Sequence, residues 1–90
     1  MRVRVLYFAA VRDLAGRAEE TLEVPEGVRT IGALARTLEQ HLPALAGRLV
    51  PAAGVAAHVR IARNEEFAAD ADPIEDGDVI ALIPPVAGGS

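Results

Sequence analysis

The sequence predicts one α+β domain in which a sheet of about five strands packs on one main helix. Residues 2–9 alternate their side chains with period two, as expected for a strand with one face in the core. Residues 31–42 instead repeat apolar side chains at three- and four-residue steps, as expected for a helix with one buried stripe. Ninety residues, 51% of them hydrophobic, are enough for one core and too few for two.

The first predicted strand, residues 2–9, separates its side chains onto two faces. The odd-numbered positions from 3 to 7 are all apolar and are expected to face the core. The even-numbered positions then face outward, which places the large apolar Leu6 and Phe8 beside two arginines. Residues 11–16 are predicted as a turn that ends in glycine, and residues 18–24 as a second strand. Together these segments suggest a hairpin.

The predicted helix begins after Thr30, which is a suitable N-cap, and continues to about His41. Pro43 ends it, because proline cannot donate a backbone hydrogen bond. Residues 44–54 are rich in alanine, proline and glycine and are predicted as a loop with room for one helical turn. The apolar stripe of the helix consists of Ile31, Leu34, Ala35, Leu38 and Leu42.

The second half of the chain predicts three more strands. Residues 57–63 alternate again, residues 64–66 form a turn into a short strand that carries Phe67, and residues 79–83 form the last strand. Before that last strand, residues 75–78 predict a tight turn. In the third strand the inward positions are Val59 and Ile61, and the outward positions are His58, Arg60 and Ala62.

Charge and composition exclude several classes of protein. The net charge of −4 and a pI near 5 argue against a nucleic-acid-binding module, which needs clustered basic residues. No apolar run approaches the ~20 residues of a membrane span, so we expect no membrane association and a cytoplasmic location. There is no cysteine, which excludes disulfides, thiolate metal sites and a cysteine nucleophile.

Polar residues within the predicted fold do not form a catalytic or metal-binding set. Five carboxylates between residues 70 and 78 lack the spacing of a calcium-binding loop and are interpreted as a solvated turn. The two histidines fall on different elements without further ligands, so no metal site is predicted. The only serine is Ser90, which leaves no internal serine nucleophile. The five carboxylates are Asp70, Asp72, Glu75, Asp76 and Asp78, and the histidines are His41 and His58.

The chain divides into a predicted domain of residues 1–83 and a tail of residues 84–90. Pro84 and Pro85 favour an extended backbone, whereas Gly88 and Gly89 carry no side chain. Composition allows two interpretations of such a tail. It is either an inert, disordered end or a narrow segment that carries its carboxylate into the active site of a partner.

Three stretches of sequence resemble those of a known family. They read VLYFAAVRD at residues 5–13, ARNEE at residues 62–66, and DGD at residues 76–78 leading to IPPVAGG at residues 83–89. With the order of elements, they resemble the ubiquitin-like β-grasp sulfur carriers, most closely the small subunits of molybdopterin synthase. The resemblance covers essentially the whole chain and implies a mixed sheet. One departure is Ser90, because the second glycine is the C-terminus in that family.

The resemblance implies a sulfur-carrying role in molybdenum cofactor biosynthesis. An adenylating enzyme of the ubiquitin-activating type would use ATP to activate Gly89, preceded by Gly88, and a persulfide would convert it to a thiocarboxylate. The tail would then enter the large subunit of molybdopterin synthase and donate sulfur to a cyclic pyranopterin precursor. The chain would be no enzyme on its own and would hold no permanent cofactor. Ser90 would have to be removed before activation.

The resemblance also implies which residues meet these partners. Phe8, Phe67 and Ile83 match partner-facing positions, although Phe67 could instead close one end of the core. Arg12 matches an arginine that steadies the tail or contacts a partner, and Pro84 and Pro85 lead into the partner. Two other functions stay open. One is sulfur transfer for thiamine, tRNA thiolation or cysteine, and the other is a ubiquitin-like binding module without sulfur chemistry.

Overall fold

Five strands and two α-helices make up the described part of the chain, which in this computed structural model comprises residues 1–49 and 59–84. A single 3-10 turn, Pro43–Leu45, follows the second helix. In chain order the elements are β1 (Arg2–Tyr7), α1 (Ala9–Ala15), β2 (Glu19–Glu23), α2 (Ile31–His41), β3 (Arg60–Arg63), β4 (Glu66–Phe67) and β5 (Val79–Ile83).

The strands form one mixed sheet in the order β2-β1-β5-β3-β4. The central strands β1 and β5 are parallel, with Val5 opposite Ile80 and Tyr7 opposite Leu82. All other neighbours are antiparallel, including the predicted pair of β1 and β2. The predicted fold class, a β-grasp with a mixed five-stranded sheet on one main helix, is therefore confirmed.

The core lies between α2 and one face of the sheet. Thr30 caps α2 as predicted, because its Oγ1 accepts a hydrogen bond of 3.2 Å from the backbone N–H of Ala33, and the helix ends at His41. Each large side chain buried in such a core contributes roughly 1.5–3 kcal/mol relative to an exposed one. The fully buried residues include Val3, Val5, Ile31, Leu34, Leu38, Ile80 and Leu82.

The segment between β1 and β2 differs from the prediction. Residues 11–16 were expected to form a turn, but Ala9–Ala15 forms the short helix α1. Val11 and Ala15 lie one turn apart and are both buried, so packing supports a helix that is too short for a clear apolar repeat. Gly16 ends α1 with a left-handed backbone (φ 76°), and its N–H donates to the carbonyl of Arg12.

The third strand is shorter in the described residues than the predicted 57–63. Residues 57 and 58 lie outside them, and β3 begins at Arg60. Val59 and Ile61 are buried as expected. Ala62 faces outward as predicted but is only 5% exposed, because β4 and β5 cover it from both sides. None of the described helices is long and apolar enough to cross a membrane.

Candidate functional site

The outer face of the sheet carries an apolar groove beside the start of the tail. The groove has a volume of about 550 Å³ and runs across β1, β5, β3 and β4. We call it the outer groove. Its lining residues are Leu6, Phe8, Ala62, Asn64, Glu65, Phe67, Val79, Ala81 and Ile83.

Two phenylalanines project from opposite sides of the outer groove. Phe8 follows β1 and is 45% exposed, which confirms that strand alternation places it outside the core. Phe67 on β4 is 57% exposed, so it does not close one end of the core. Large aromatic side chains left this open to water are typical of contact surfaces for other proteins.

The tail begins at the edge of the outer groove. Ile80 and Leu82 on β5 are fully buried, which leaves Ile83 partly exposed on the outer face as expected. The backbone N–H of Phe8 donates to the carbonyl of Leu82 at 3.4 Å, so Phe8 lies beside the end of β5. Pro84 follows directly and is half-buried. A partner that covers the outer groove would therefore also lie close to Pro84, the first residue of the tail.

A buried carboxylate supports the far end of the outer groove. Asp78 is 6% exposed, so its interpretation as part of a solvated turn was wrong. It accepts hydrogen bonds from Arg63 Nε (2.7 Å), Asn64 Nδ2 (3.0 Å) and the backbone N–H of Glu75 (2.7 Å). Burial alone raises the pKa of Asp78, but these three donors outweigh it, so the pKa lies below its ordinary value. Asp78 is therefore expected to be charged at neutral pH.

The turn between β3 and β4 depends on this carboxylate. Asn64 and Glu65 both have left-handed backbones, with φ of 50° and 73°, the combination that a tight hairpin turn requires. The Asn64 side chain is held from two sides, because its Oδ1 accepts from the backbone N–H of Val79 at 2.9 Å while its Nδ2 donates to Asp78. The turn is thus fixed to the start of β5, and it positions the groove residues Asn64 and Glu65.

A second polar cluster lies on the helix side of the sheet, away from the outer groove. Glu20 accepts a hydrogen bond from the Tyr7 hydroxyl and lies 3.0 Å from His41 Nε2 and 3.1 Å from Arg17 Nη1. Burial and the hydrogen bond to Glu20 raise the pKa of Tyr7 above its ordinary value. These contacts link β1, β2 and the end of α2, which is a structural role.

The predicted site residues fall into three groups. Phe8, Phe67 and Ile83 lie together around the outer groove. Arg12 lies on α1, is exposed and does not line the groove. Of the tail residues, Pro84 follows β5, whereas Pro85, Gly88 and Gly89 lie outside the described residues. Within residues 1–49 and 59–84, no cluster of acidic, histidine or cysteine side chains could hold a metal ion.

Comparison with known proteins decides the family. Residues 5–89 match the model of the ThiS family. This chain belongs to the ThiS family. A relative named molybdopterin synthase sulfur carrier subunit, from Chlamydomonas reinhardtii, is 36% identical over 91 residues, which cover 99% of this chain and 100% of the relative. The resemblance inferred from the three sequence stretches is confirmed.

Matches to solved structures extend the comparison. The crystal structure of SAMP1 from Haloferax volcanii matches with a TM-score of 0.83 and 32% identity, over 99% of this chain and 100% of that one. Subunit 1 and 2 of the molybdopterin-converting factor from Helicobacter pylori were solved as a complex, whose matching chain gives a TM-score of 0.64 and 29% identity. That match covers 99% of this chain and 100% of that one.

Proposed function

We propose that this chain is the sulfur carrier subunit of a molybdopterin synthase and that Gly89, once Ser90 has been removed, carries the sulfur. The observation that supports this most strongly is the match, over nearly the whole chain, to relatives that bear this name. The outer groove adds a physical reason, because it offers a partner an apolar contact beside the point where the tail begins.

Hydrolysis of the Gly89–Ser90 peptide bond first frees the Gly89 carboxylate, and the proposed chemistry then takes place there in three steps. An adenylating enzyme of the ubiquitin-activating type joins the Gly89 carboxylate to the α-phosphate of ATP and releases pyrophosphate. A persulfide sulfur then attacks the acyl carbon, AMP leaves, and a thiol reductant cleaves the sulfur–sulfur bond to leave the thiocarboxylate. The ATP belongs to that enzyme, and the carrier holds no cofactor of its own. These steps would take place in the cytoplasm.

Docking would position the thiocarboxylate for the next reaction, which is sulfur transfer to the precursor. With the outer groove bound to the large subunit, the tail would present its sulfur to the cyclic pyranopterin precursor. Such positioning makes a bimolecular attack effectively intramolecular, which is worth up to about 10⁵–10⁸ M in effective concentration. In this scheme the carrier supplies the nucleophile and the large subunit supplies the pocket and the acid–base groups.

The test uses a chain that ends at Gly89, incubated with the adenylating enzyme, ATP and a sulfur donor. Mass spectrometry should show one carboxylate oxygen replaced by sulfur on the C-terminal peptide. The modified chain, mixed with the large subunit and the precursor, should then yield molybdopterin. A matched chain that ends at Gly88 is the control and should gain no sulfur. Failure of the Gly89 chain to gain sulfur would contradict the proposal.

A second function is favoured by the similarity to a small archaeal modifier protein. In that case the activated Gly89 would form an amide with an amine on another protein, and AMP would leave. The same activated chain, incubated with a cell extract and ATP, distinguishes the two outcomes. Covalent adducts that carry the C-terminal peptide would support the modifier role, and molybdopterin formation alone would support the synthase role.

A further inference from the structure

Arg60 differs from the other arginines on the outer face in what its side chain contacts. Arg2 and Arg4 form ion pairs with glutamates of β2. The guanidinium carbon of Arg60 instead lies 3.7 Å from the ring centroid of Phe67. Among the described residues, no carboxylate forms an ion pair with Arg60. The ring is therefore its only specific contact there, and the two side chains hold each other.

Phe67 has little other support. It lies on β4, which has two residues and, within residues 1–49 and 59–84, pairs with β3 alone. The ring is 57% exposed and lines the outer groove, whereas Arg60 is not among the lining residues. The guanidinium therefore covers part of the ring and leaves its groove side open to a partner.

The pair also lies close to the tail. Arg60 is the register partner of Ile83, which is the last residue of β5 before Pro84. A side chain that fixes Phe67 thus fixes one wall of the outer groove beside the point where the tail leaves the sheet. An exposed aromatic side chain that is already held loses less rotamer freedom when a partner binds.

We propose that Arg60 is a positioning residue that holds Phe67 ready for docking through its stacked guanidinium. The proposal rests on the proposed function, since it assigns a role within the same docking face, that is, the outer groove with Phe8, Phe67 and Ile83 around it. The partner that it fits is the large subunit of the synthase, bound through an apolar surface that meets the ring of Phe67. Arg60 acts through the ring and makes no direct ion pair with that partner.

The stack is tested first in the free chain. The ring current of Phe67 should shift the side-chain protons of Arg60 upfield in the proton NMR spectrum. The shift should disappear in Phe67→Leu, which keeps an apolar side chain without a ring. An unchanged Arg60 spectrum in Phe67→Leu would overturn the proposal, whatever the function of the chain.

Binding to the large subunit is then measured as a double-mutant cycle. Arg60→Met keeps an unbranched stem and should weaken binding about two- to fivefold, the ratio that corresponds to an exposed cation–π contact. Arg60→Lys keeps the charge but not the planar guanidinium, so it should weaken binding less than Arg60→Met does. Arg36→Met on α2 removes an exposed arginine elsewhere and is the matched control, with no change expected. In the Phe67→Leu background, Arg60→Met should have no further effect.

The outcomes separate this proposal from the proposed function. An equal loss from Arg60→Met with and without the Phe67 ring would show that Arg60 acts on the partner directly, which overturns the positioning role. Loss of binding in Phe8→Arg but not in Arg60→Met would also overturn it, while the docking face would stand. If Phe8→Arg bound normally, the docking face itself would be wrong, and the positioning role would fall with it.

Discussion

Both faces of the sheet carry large apolar side chains, but the two faces use them differently. On the inner face, Val5, Ile80 and Leu82 are fully buried against α2. On the outer face, Phe8 and Phe67 remain about half exposed around an open groove. Burial on the inner face stabilises the fold, whereas exposed aromatic residues contribute little to it. The outer residues therefore indicate a surface that is completed by another molecule.

Polar residues differ between the faces as well. The inner cluster around Glu20 links the sheet to the end of α2 on the helix side of the sheet. Asp78, in contrast, fixes the turn that forms the far end of the outer groove. A carboxylate thus links elements of the fold in one place and shapes the end of the outer groove in the other. Substitutions can separate these two roles.

The largest effect is expected from the inner face. Leu34→Ala removes a fully buried side chain from α2 and should lower the free energy of unfolding by about 2–5 kcal/mol. The affinity of the folded fraction for the large subunit should not change, because Leu34 is remote from the outer groove. Denaturant unfolding and titration calorimetry measure the two quantities. A loss of affinity without a loss of stability would break the distinction between the faces.

A smaller effect is expected from the carboxylate at the end of the outer groove. Asp78→Asn weakens hydrogen bonds to a charged acceptor and should lower the free energy of unfolding by about 1.5–3 kcal/mol at pH 7. Since the pKa of folded Asp78 is lowered, its stabilisation is present above the unfolded value of about 3.9. It is lost as the pH falls from there through the folded pKa.

The pH dependence provides the control for that substitution. Chemical unfolding of both chains at a series of pH values should show the wild type approaching Asp78→Asn in stability below about pH 4. Asp76→Asn removes a neighbouring exposed carboxylate in the same turn and should show a smaller difference at pH 7. A difference for Asp78→Asn that stayed constant down to strong acid would contradict the assigned hydrogen bonds.

The smallest effect is expected from the exposed ion pair between Arg4 and Glu19. Arg4 donates to Glu19 at 2.7 and 2.9 Å, but both side chains are about half exposed. Pairs of this kind contribute roughly 0–1 kcal/mol. Arg4→Met should therefore change stability by less than about 1 kcal/mol and leave affinity for the large subunit within about twofold. A large loss of affinity would extend the docking face to Arg4.

The sequence was sufficient to predict the regular parts of this fold. Strand alternation placed Phe8 outside the core, and the Thr30 cap with its apolar stripe defined α2. The short helix α1 was missed, because seven residues are too few for a helical repeat to stand out. Its helical conformation depends instead on the burial of Val11 in the core.

Contacts between distant segments were harder to predict than the segments themselves. Asp78 belongs to an acidic stretch that resembles a solvated turn, and only folding brings Arg63 and Asn64 to it. The stack of Arg60 on Phe67 was likewise missed. A signal was present, since both residues were expected on strands joined by a short turn, but alternation alone does not specify strand register.

The most direct test of the difference between the two faces compares two exposed apolar residues. Phe8→Arg places a charge in the outer groove, and Leu14→Arg places one on α1, outside the groove lining. Both chains should unfold within about 0.5 kcal/mol of the wild type, because both substitutions are at the surface. Affinity for the large subunit should fall more than tenfold, about 1.4 kcal/mol, for Phe8→Arg and stay unchanged for Leu14→Arg. Equal affinities for the two variants would contradict the assignment of the outer face as the docking surface.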